Sequence, residues 1–280
     1  MPVPENPYAV IDDLSPELDA ISGRLVAARV NADALPDFPG QLPETLKDAY
    51  AIQAASISRW PDEVAGWKVG LVPAAYRERL AAERLAGPIF QNAIFRIDAD
   101  STTTMPIYRG GFAAVEAEFL LSLATTVAPS SRDYSDEELI ELVAAFHVGA
   151  EIASSPMAAV NELGPCCVVS DFGNNAGLLV GPSVPNWSTL PLQSLTAEVS
   201  VDNEVVGTAS ANAIEGGPLQ AMRFLLQLCG KRGIELPEGT LISTGAATGI
   251  HDVQTDSKAF VDFGLFGSFS VAFESMTAKQ

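Results

Sequence analysis

The sequence predicts an α+β fold, with an N-terminal helical portion over residues 1–62 and a β-rich domain over residues 63–280. Three observations predict it. Helix caps and 3.6-residue apolar periodicity dominate the first sixty residues; from Val64 onward short apolar runs are punctuated by glycine; and the few later helical patterns do not alternate strictly with strands. The last point argues against a doubly wound parallel sheet.

The elements follow in order. Ser15-Pro16 reads as an N-cap with proline at the first helical position, and Leu18, Ile21, Leu25 and Ala28 recur at helical spacing. A Pro-, Asp- and Gly-rich loop spans Leu35 to Pro43, and a second helix runs from about Thr45 to Trp60, where Pro61 stops it. A third helix is expected from Ala74 to Ala86, ending at Gly87. Ser135-Asp136-Glu137-Glu138 forms a capping box that opens a helix with Leu139, Leu142, Val143 and Phe146 on one face and His147 at its end. Leu195 to Val201 alternates, turns at Asp202-Asn203 and returns over Glu204 to Ala209 as a hairpin. Pro218 to Lys231 reads as a helix closed by Lys231-Arg232-Gly233, and the last strands are Leu241–Thr244, Ala259–Asp262 and Ser268–Phe273.

The chain has 16 Lys and Arg against 35 Asp and Glu, a formal net charge of −19, which repels phosphate backbones and anionic lipid surfaces. Nucleic acid and membrane are therefore excluded as expected partners. No run of about 18 uncharged apolar residues is present. The start, Met-Pro-Val-Pro-Glu-Asn-Pro-Tyr, has neither the basic residues nor the apolar core of a signal peptide, so a cytoplasmic location is expected. Three cysteines, with Cys166 and Cys167 adjacent and Cys229 in a helical pattern, read as buried thiols rather than a disulfide framework.

Three glutamates stand out. Glu116 and Glu118 interrupt the apolar strand pattern Phe112 to Leu121 on the face they share with Ala114 and Leu120, roughly 7 Å apart along the strand. Glu151 interrupts a second such pattern, with Val148, Ala150 and Ile152 on the opposite face. Buried like charges must face water, pair with cations or share a metal. Three carboxylates with few cations point to Mg²⁺ or Mn²⁺, hard ions that favour oxygen ligands; no His/Cys cluster has zinc spacing.

Other residues carry two readings each. Lys68, between Trp67 and Val69 and bracketed by Gly66 and Gly70, is either a partly desolvated strand lysine that meets an acidic substrate or a surface lysine that snorkels. The run Ser243 to Gly249 is either a small-residue turn whose free N–H groups, with the Thr244 and Thr248 hydroxyls, receive a carboxylate, or an ordinary tight turn. Asp171 to Asn175 offers amide donors or local turn bonds. His251 follows the glycine turn, as a substrate contact or as an exposed loop residue.

These motifs, in order, resemble the 2-keto-4-pentenoate hydratase and 4-oxalocrotonate decarboxylase branch of the fumarylacetoacetate hydrolase superfamily. The landmarks are Ala49-Tyr50-x-x-Gln53, Gly66-Trp67-Lys68-Val69-Gly70, Gly87-Pro88-Ile89-Phe90, Ala114-Val115-Glu116-Ala117-Glu118, Glu151 to Ser155, Asp171 to Gly181 and Ser243 to Gly249, which together span most of the chain from about residue 44. The resemblance implies a mixed β-roll core and a homo-oligomer, which a related decarboxylase or hydratase subunit could join. It also implies a divalent metal, Mg²⁺ or Mn²⁺, on Glu116, Glu118 and Glu151, with Lys68 in the pocket. Leu85, Asp171, Asn174, Thr244, Gly245 and Thr248 are the expected substrate contacts. Two positions depart from the family pattern. Leu85 stands where many hydratases carry an acid, and Asp171-Phe172-Gly173-Asn174 replaces an Asp-Asn-Ala-Ser run.

The implied function is that of a catabolic lyase: Mg²⁺-dependent addition of water to a 2-hydroxypenta-2,4-dienoate or 2-oxo-4-enoate. The alternatives are a 4-oxalocrotonate-type decarboxylase, an acylpyruvate C–C hydrolase, which the lack of any histidine before His147 disfavours, and a non-catalytic partner subunit.

Overall fold

Two helices lead the chain in a computed structural model that describes residues 6–11 and 13–279. Helix α1 (Pro16–Asn31) starts where the Ser15 hydroxyl accepts the Leu18 N–H, and it ends at Ala32 in the left-handed conformation. Helix α2 (Leu46–Arg59) is capped by Thr45, whose hydroxyl accepts the Asp48 N–H; Trp60 then turns extended, as a residue before proline favours. The two pack through Ile21, Leu25 and Ile52 onto Met157, Val160 and Cys167. The opening residues Met1 to Glu5, on which the signal-peptide reading rests, lie outside the described residues. No described helix is long and apolar enough to cross a membrane.

The rest is two mixed sheets with short helices between their strands. The elements are β1 (Val64–Leu71), α3 (Ala74–Leu80), β2 (Arg84–Phe90), β3 (Ile94–Arg96), β4 (Thr102–Ile107), β5 (Phe112–Leu123), α4 (Asp136–Glu141), β6 (Val143–Ser155), α5 (Pro165–Ser170) and β7 (Asn175–Ser183). They continue as β8 (Thr196–Val201), β9 (Glu204–Ser210), α6 (Gly217–Arg232), β10 (Leu241–Ala246), β11 (His251–Asp252), β12 (Lys258–Asp262) and β13 (Ser268–Ser275). The larger sheet runs β2-β1-β10-β5-β6-β7-β3 with β11 also on β5; the smaller runs β4-β13-β12-β8-β9. Parallel pairs β1–β10, β3–β7 and β4–β13 sit among antiparallel ones.

The alternation read in β5 positions the core. Val115, Ala117, Phe119 and Leu121 join Val148, Ala150 and Ile152 of β6, the inner face of the smaller sheet (Val199, Val261, Phe269) and Met222 and Leu225 of α6. Leu120, on the glutamate face, joins a separate cluster with Ile89, Leu178 and Leu241. The β8–β9 hairpin turns through Asp202 and Asn203 with φ of 51° and 71°, the paired left-handed residues of a two-residue I′ turn.

Two expected helices are shorter in the structure. The one expected over Ala74 to Ala86 ends at Leu80, and Arg84 to Phe90 is strand β2, paired antiparallel with β1 through Leu71↔Arg84 and Lys68↔Gly87. All seven β2 residues are buried, so the strand lacks the alternation that distinguishes it from a helix. Likewise α4 keeps its capping box but ends at Glu141; Val143 and Phe146 belong to β6. His147, expected at a helix end, lies in that strand opposite Leu120, with Nδ1 3.0 Å from the Gly181 carbonyl oxygen.

Candidate metal centre and active site

The β5–β6 register brings the three glutamates together. Glu116 lies directly across from Glu151, and Glu118 across from Gly149. Their exposures are 4%, 0% and 0% for Glu116, Glu118 and Glu151, and each offers a carboxylate oxygen within 4.8 Å of the others. Part of their bonding capacity is met. Glu118 Oε2 accepts from the Ser243 hydroxyl and, at 3.0 Å, from the Gly245 N–H; Glu151 Oε1 accepts from Asn175 Nδ2 at 2.9 Å. Glu118 Oε1 and Glu151 Oε2 are buried without a hydrogen-bond partner.

Burial first, and the Glu151 charge second, push the Glu116 carboxyl up to about 8. The same two causes, with Glu116 added, hold Glu118 well above the usual carboxylate range despite the Ser243 and Gly245 donors. The nearest cation is Lys68, whose Nζ lies 3.5 Å from Glu151 Oε2. Burial works against its charge, but Glu151, Glu116 and Glu118 outweigh that and raise its pKa. One ammonium leaves three carboxylates under-compensated, and a divalent ion would complete the balance. An all-oxygen donor set, in which Glu118 Oε1 has no partner and Glu151 Oε2 has only the Lys68 ammonium at 3.5 Å, fits Mg²⁺ or Mn²⁺.

Lys68 is aimed by its neighbours in the sheet. It pairs with Gly87 of β2 and Ser243 of β10, and its Nζ donates to the Gly173 carbonyl at 3.1 Å and to Asn174 Oδ1 at 3.3 Å. Those acceptors sit on a turn whose residues Phe172, Gly173 and Asn174 are all left-handed, with φ of 56°, 66° and 58°. Non-glycine residues held in that region cost of order 1 kcal/mol or more each, so the surrounding packing must over-determine the turn. Gly87 allows it: a Cβ there would collide with the Phe172 carbonyl.

A cavity of about 310 Å³ opens onto this cluster. Of the residues singled out in the sequence, Lys68, Leu85, Glu116, Glu118, Asn174, Thr244 and Gly245 line it, with Glu151 behind Lys68. Three expectations change. Asp171 does not line the cavity: its carboxylate is paired with Arg29 of α1 at 2.5 and 2.9 Å, and both side chains are buried. Thr248 is not in the lining either, since its hydroxyl bonds to His251 Nε2 at 3.0 Å. Two of the donors expected at the glycine turn are engaged within the protein, the Thr244 hydroxyl with the Phe119 carbonyl at 2.6 Å and the Gly245 N–H with Glu118. The turn serves the carboxylate cluster instead.

The sequence singles out neither Asn161 nor Arg84; it offers Ser243 only as the start of the glycine-turn run and Asn175 only as one of the amide donors of Asp171 to Asn175. Ser243 and Asn175 orient the glutamates, and Asn161 Oδ1 accepts from Asn174 Nδ2 at 3.2 Å. Ser243 carried a signal, since it faces the same side as Lys68 once β1 and β10 are taken as parallel neighbours; that pairing is not local.

No protein-family model matches the sequence. A stretch of 106 residues, 38% of the chain, is 29% identical to 4-oxalocrotonate decarboxylase from Pseudomonas putida and 27% identical to the enzyme of that name from Pseudomonas sp. strain CF600; it spans 40% of those relatives' length. The fold matches far more extensively. 4-Oxalocrotonate decarboxylase from P. putida G7, in complex with magnesium and adipate, superposes with a TM-score of 0.76 at 21% identity, over 94% of this chain and 99% of that one. Fumarylpyruvate hydrolase from Pseudomonas aeruginosa, with Mn²⁺ and pyruvate, gives 0.53 at 16% identity over 75% and 89%. The chain has the fold of the fumarylacetoacetate hydrolase superfamily, and its relatives include decarboxylases of the branch that its motifs resemble.

Proposed function

We propose that this chain is a divalent-metal-dependent enzyme that acts on a small 2-oxo acid through its enolate, and that the reaction is decarboxylation of a vinylogous 2-oxo acid of the 4-oxalocrotonate type. The carrying observation is the chemistry of the cavity wall. Among the described lining residues the only carboxylates are Glu116 and Glu118, no histidine is present, and Leu85, Val168 and Ile214 supply apolar surface. Hydration, the reading that the sequence favours, needs a group to activate water. Decarboxylation needs none, and an apolar wall that keeps water from the reacting carbons serves it. The decarboxylase names of the partial sequence relatives support the same choice.

Held by Glu116, Glu118 and Glu151, a divalent ion would act as a Lewis acid on the oxygens of the 2-oxo acid and make its enolate accessible. The chain's own residues do the rest. The Lys68 ammonium, kept charged by the glutamates and directed by Gly173 and Asn174, lies beside the cluster and offsets the developing negative charge. As the bond to the departing carboxylate breaks, its electron pair enters the extended enolate, CO₂ leaves, and Lys68 supplies the proton that quenches the carbon, to be reprotonated from solvent. Ser243, Gly245 and Asn175 hold the carboxylates that orient Lys68.

The test is a direct comparison on purified protein with Mg²⁺: CO₂ release from 4-oxalocrotonate against hydration of 2-hydroxypenta-2,4-dienoate. The proposal expects metal-dependent decarboxylation to be the faster, and Leu85→Asp, which adds a carboxylate to the wall, to shift the ratio toward hydration. Faster hydration by the unaltered chain, or turnover that survives chelation, would contradict it.

A further inference from the structure

The hydrogen bonds that direct Lys68 have a fixed polarity, and their far end is unused. An ammonium can only donate, so the Asn174 side chain must turn its oxygen to Lys68 Nζ, 3.3 Å away. That orientation points the Asn174 amide nitrogen outward, where it donates to Asn161 Oδ1 at 3.2 Å. Asn161 thus spends its side-chain oxygen inside the protein, and its main-chain carbonyl accepts from the Gly164 N–H at 3.2 Å in the turn that leads into α5. Its amide nitrogen, with two N–H donors, has no partner among the described residues.

The other side-chain donors on the described cavity wall are committed or turned away. Lys68 and Asn174 serve the relay, and the Thr244 hydroxyl goes to the Phe119 carbonyl. Arg84 stands three residues from Gly87, the partner of Lys68, so alternation puts it on the opposite face of β2, where it bonds to the Glu215 main-chain carbonyl. Asn161 is left as the wall's available donor. Its place along the relay is also fixed. Glu151, Lys68 and Asn174 are buried, and Asn161, next in line, is exposed at the cavity wall. The metal-held head of a 2-oxo acid belongs at the glutamate end, so the end of the chain remote from the metal is what reaches Asn161.

We infer that Asn161 is a catalytic residue whose amide N–H groups hold the departing carboxylate of the substrate and set the orientation in which its C–C bond breaks. This rests on the decarboxylation reading proposed above and deepens it by assigning the group that meets the leaving end. The electron pair of the breaking bond passes into the extended enolate and the carboxylate leaves as neutral CO₂, with no proton moved at Asn161. A cation in this place would hold the very charge that the reaction removes, and so would stabilise the ground state more than the transition state. A neutral amide orients the carboxylate with less of that penalty.

The test compares Asn161→Asp and Asn161→Ala with the unaltered protein, all loaded with Mg²⁺. It reads kcat/KM for CO₂ release from 4-oxalocrotonate and calorimetric affinity for 2-oxohexanoate, which lacks the departing carboxylate. Asn161→Asp keeps the oxygen that Asn174 needs and exchanges the amide nitrogen for a carboxylate oxygen; Asn161→Ala removes both. Alanine should lower kcat/KM by roughly 10- to 100-fold, the range of a hydrogen bond to a charged group. Aspartate, which repels the departing carboxylate, should lower it further and leave 2-oxohexanoate affinity unchanged. Aspartate performing as well as asparagine would mean that Asn161 acts only by anchoring Asn174, and would overturn the inference. So would an alanine variant at the unaltered rate, or a loss of 2-oxohexanoate affinity in Asn161→Asp that matches its loss of turnover. An unaltered chain that binds 2-oxohexanoate but releases no CO₂ would overturn the decarboxylation reading, and one that does neither would overturn the 2-oxo acid reading; the inference falls with each.

Discussion

Lys68 stands between two demands, since its ammonium offsets Glu151 at 3.5 Å while its charge is also wanted at the reacting carbon. Replacing it separates them. Lys68→Met keeps most of the buried stem and removes the charge. Turnover should fall by roughly 10²–10⁴-fold, as expected for loss of a positioned acid. Mg²⁺ affinity should rise, because the ion no longer shares the cluster with a competing cation. Steady-state kinetics and calorimetry on one preparation check both. If metal binding weakens instead, Lys68 supports the cluster rather than the chemistry. At this scale the site was legible where a residue was locally anomalous: three carboxylates in apolar strands and a lysine among glycines are out of place before any fold is known. Asp171 was misread for the opposite reason. It sits in a polar turn run that suggests a substrate contact, and the partner that takes its carboxylate instead, Arg29, lies 142 residues away in sequence.

The elements that aim the site meet at one close approach, where β2 passes the left-handed turn at Phe172 to Asn174. Gly87→Ala adds a methyl against the Phe172 carbonyl and should part strand and turn, at a cost of about 1–3 kcal/mol. The turn carries both acceptors of Lys68, so turnover should fall more than the lowered thermal midpoint alone would explain. Thermal melts beside kcat at a temperature where the variant is fully folded check this; unchanged kcat would mean the turn does not position Lys68. Helices α1 and α2 and the β8–β9 hairpin were readable because their caps and turn residues act within a few positions. Strand β2 and the start of β6 were not. Their burial on pairing with distant strands removes the periodicity that sequence reading uses, and the helix-like runs before them carry over their boundaries.

The whole molecule carries its −19 charge with three carboxylates crowded at its centre, which makes it a candidate for stabilisation by cations and for a pH-dependent fold. The sign follows from the raised carboxyl of Glu116. Between its ordinary value of 4.5 and about 8 the folded metal-free protein binds more protons than the unfolded chain, so stability is full at low pH within that window and falls as pH rises through it. Glu118, also raised, acts in the same direction. The melting temperature of metal-free protein should therefore drop from pH 5 to pH 8, and Mg²⁺ should restore most at the alkaline end, where the ligands are deprotonated. A metal-free melting temperature that rises over that range would contradict the assigned crowding. The most direct measurement of the central claim is a calorimetric Mn²⁺ titration at pH 8 of the unaltered chain and of Glu116→Gln, Glu118→Gln and Glu151→Gln, each first verified as folded. The account predicts one ion per chain, bound at least about 10-fold more weakly by every variant; no bound ion, or isotherms unchanged in all three variants, would contradict it.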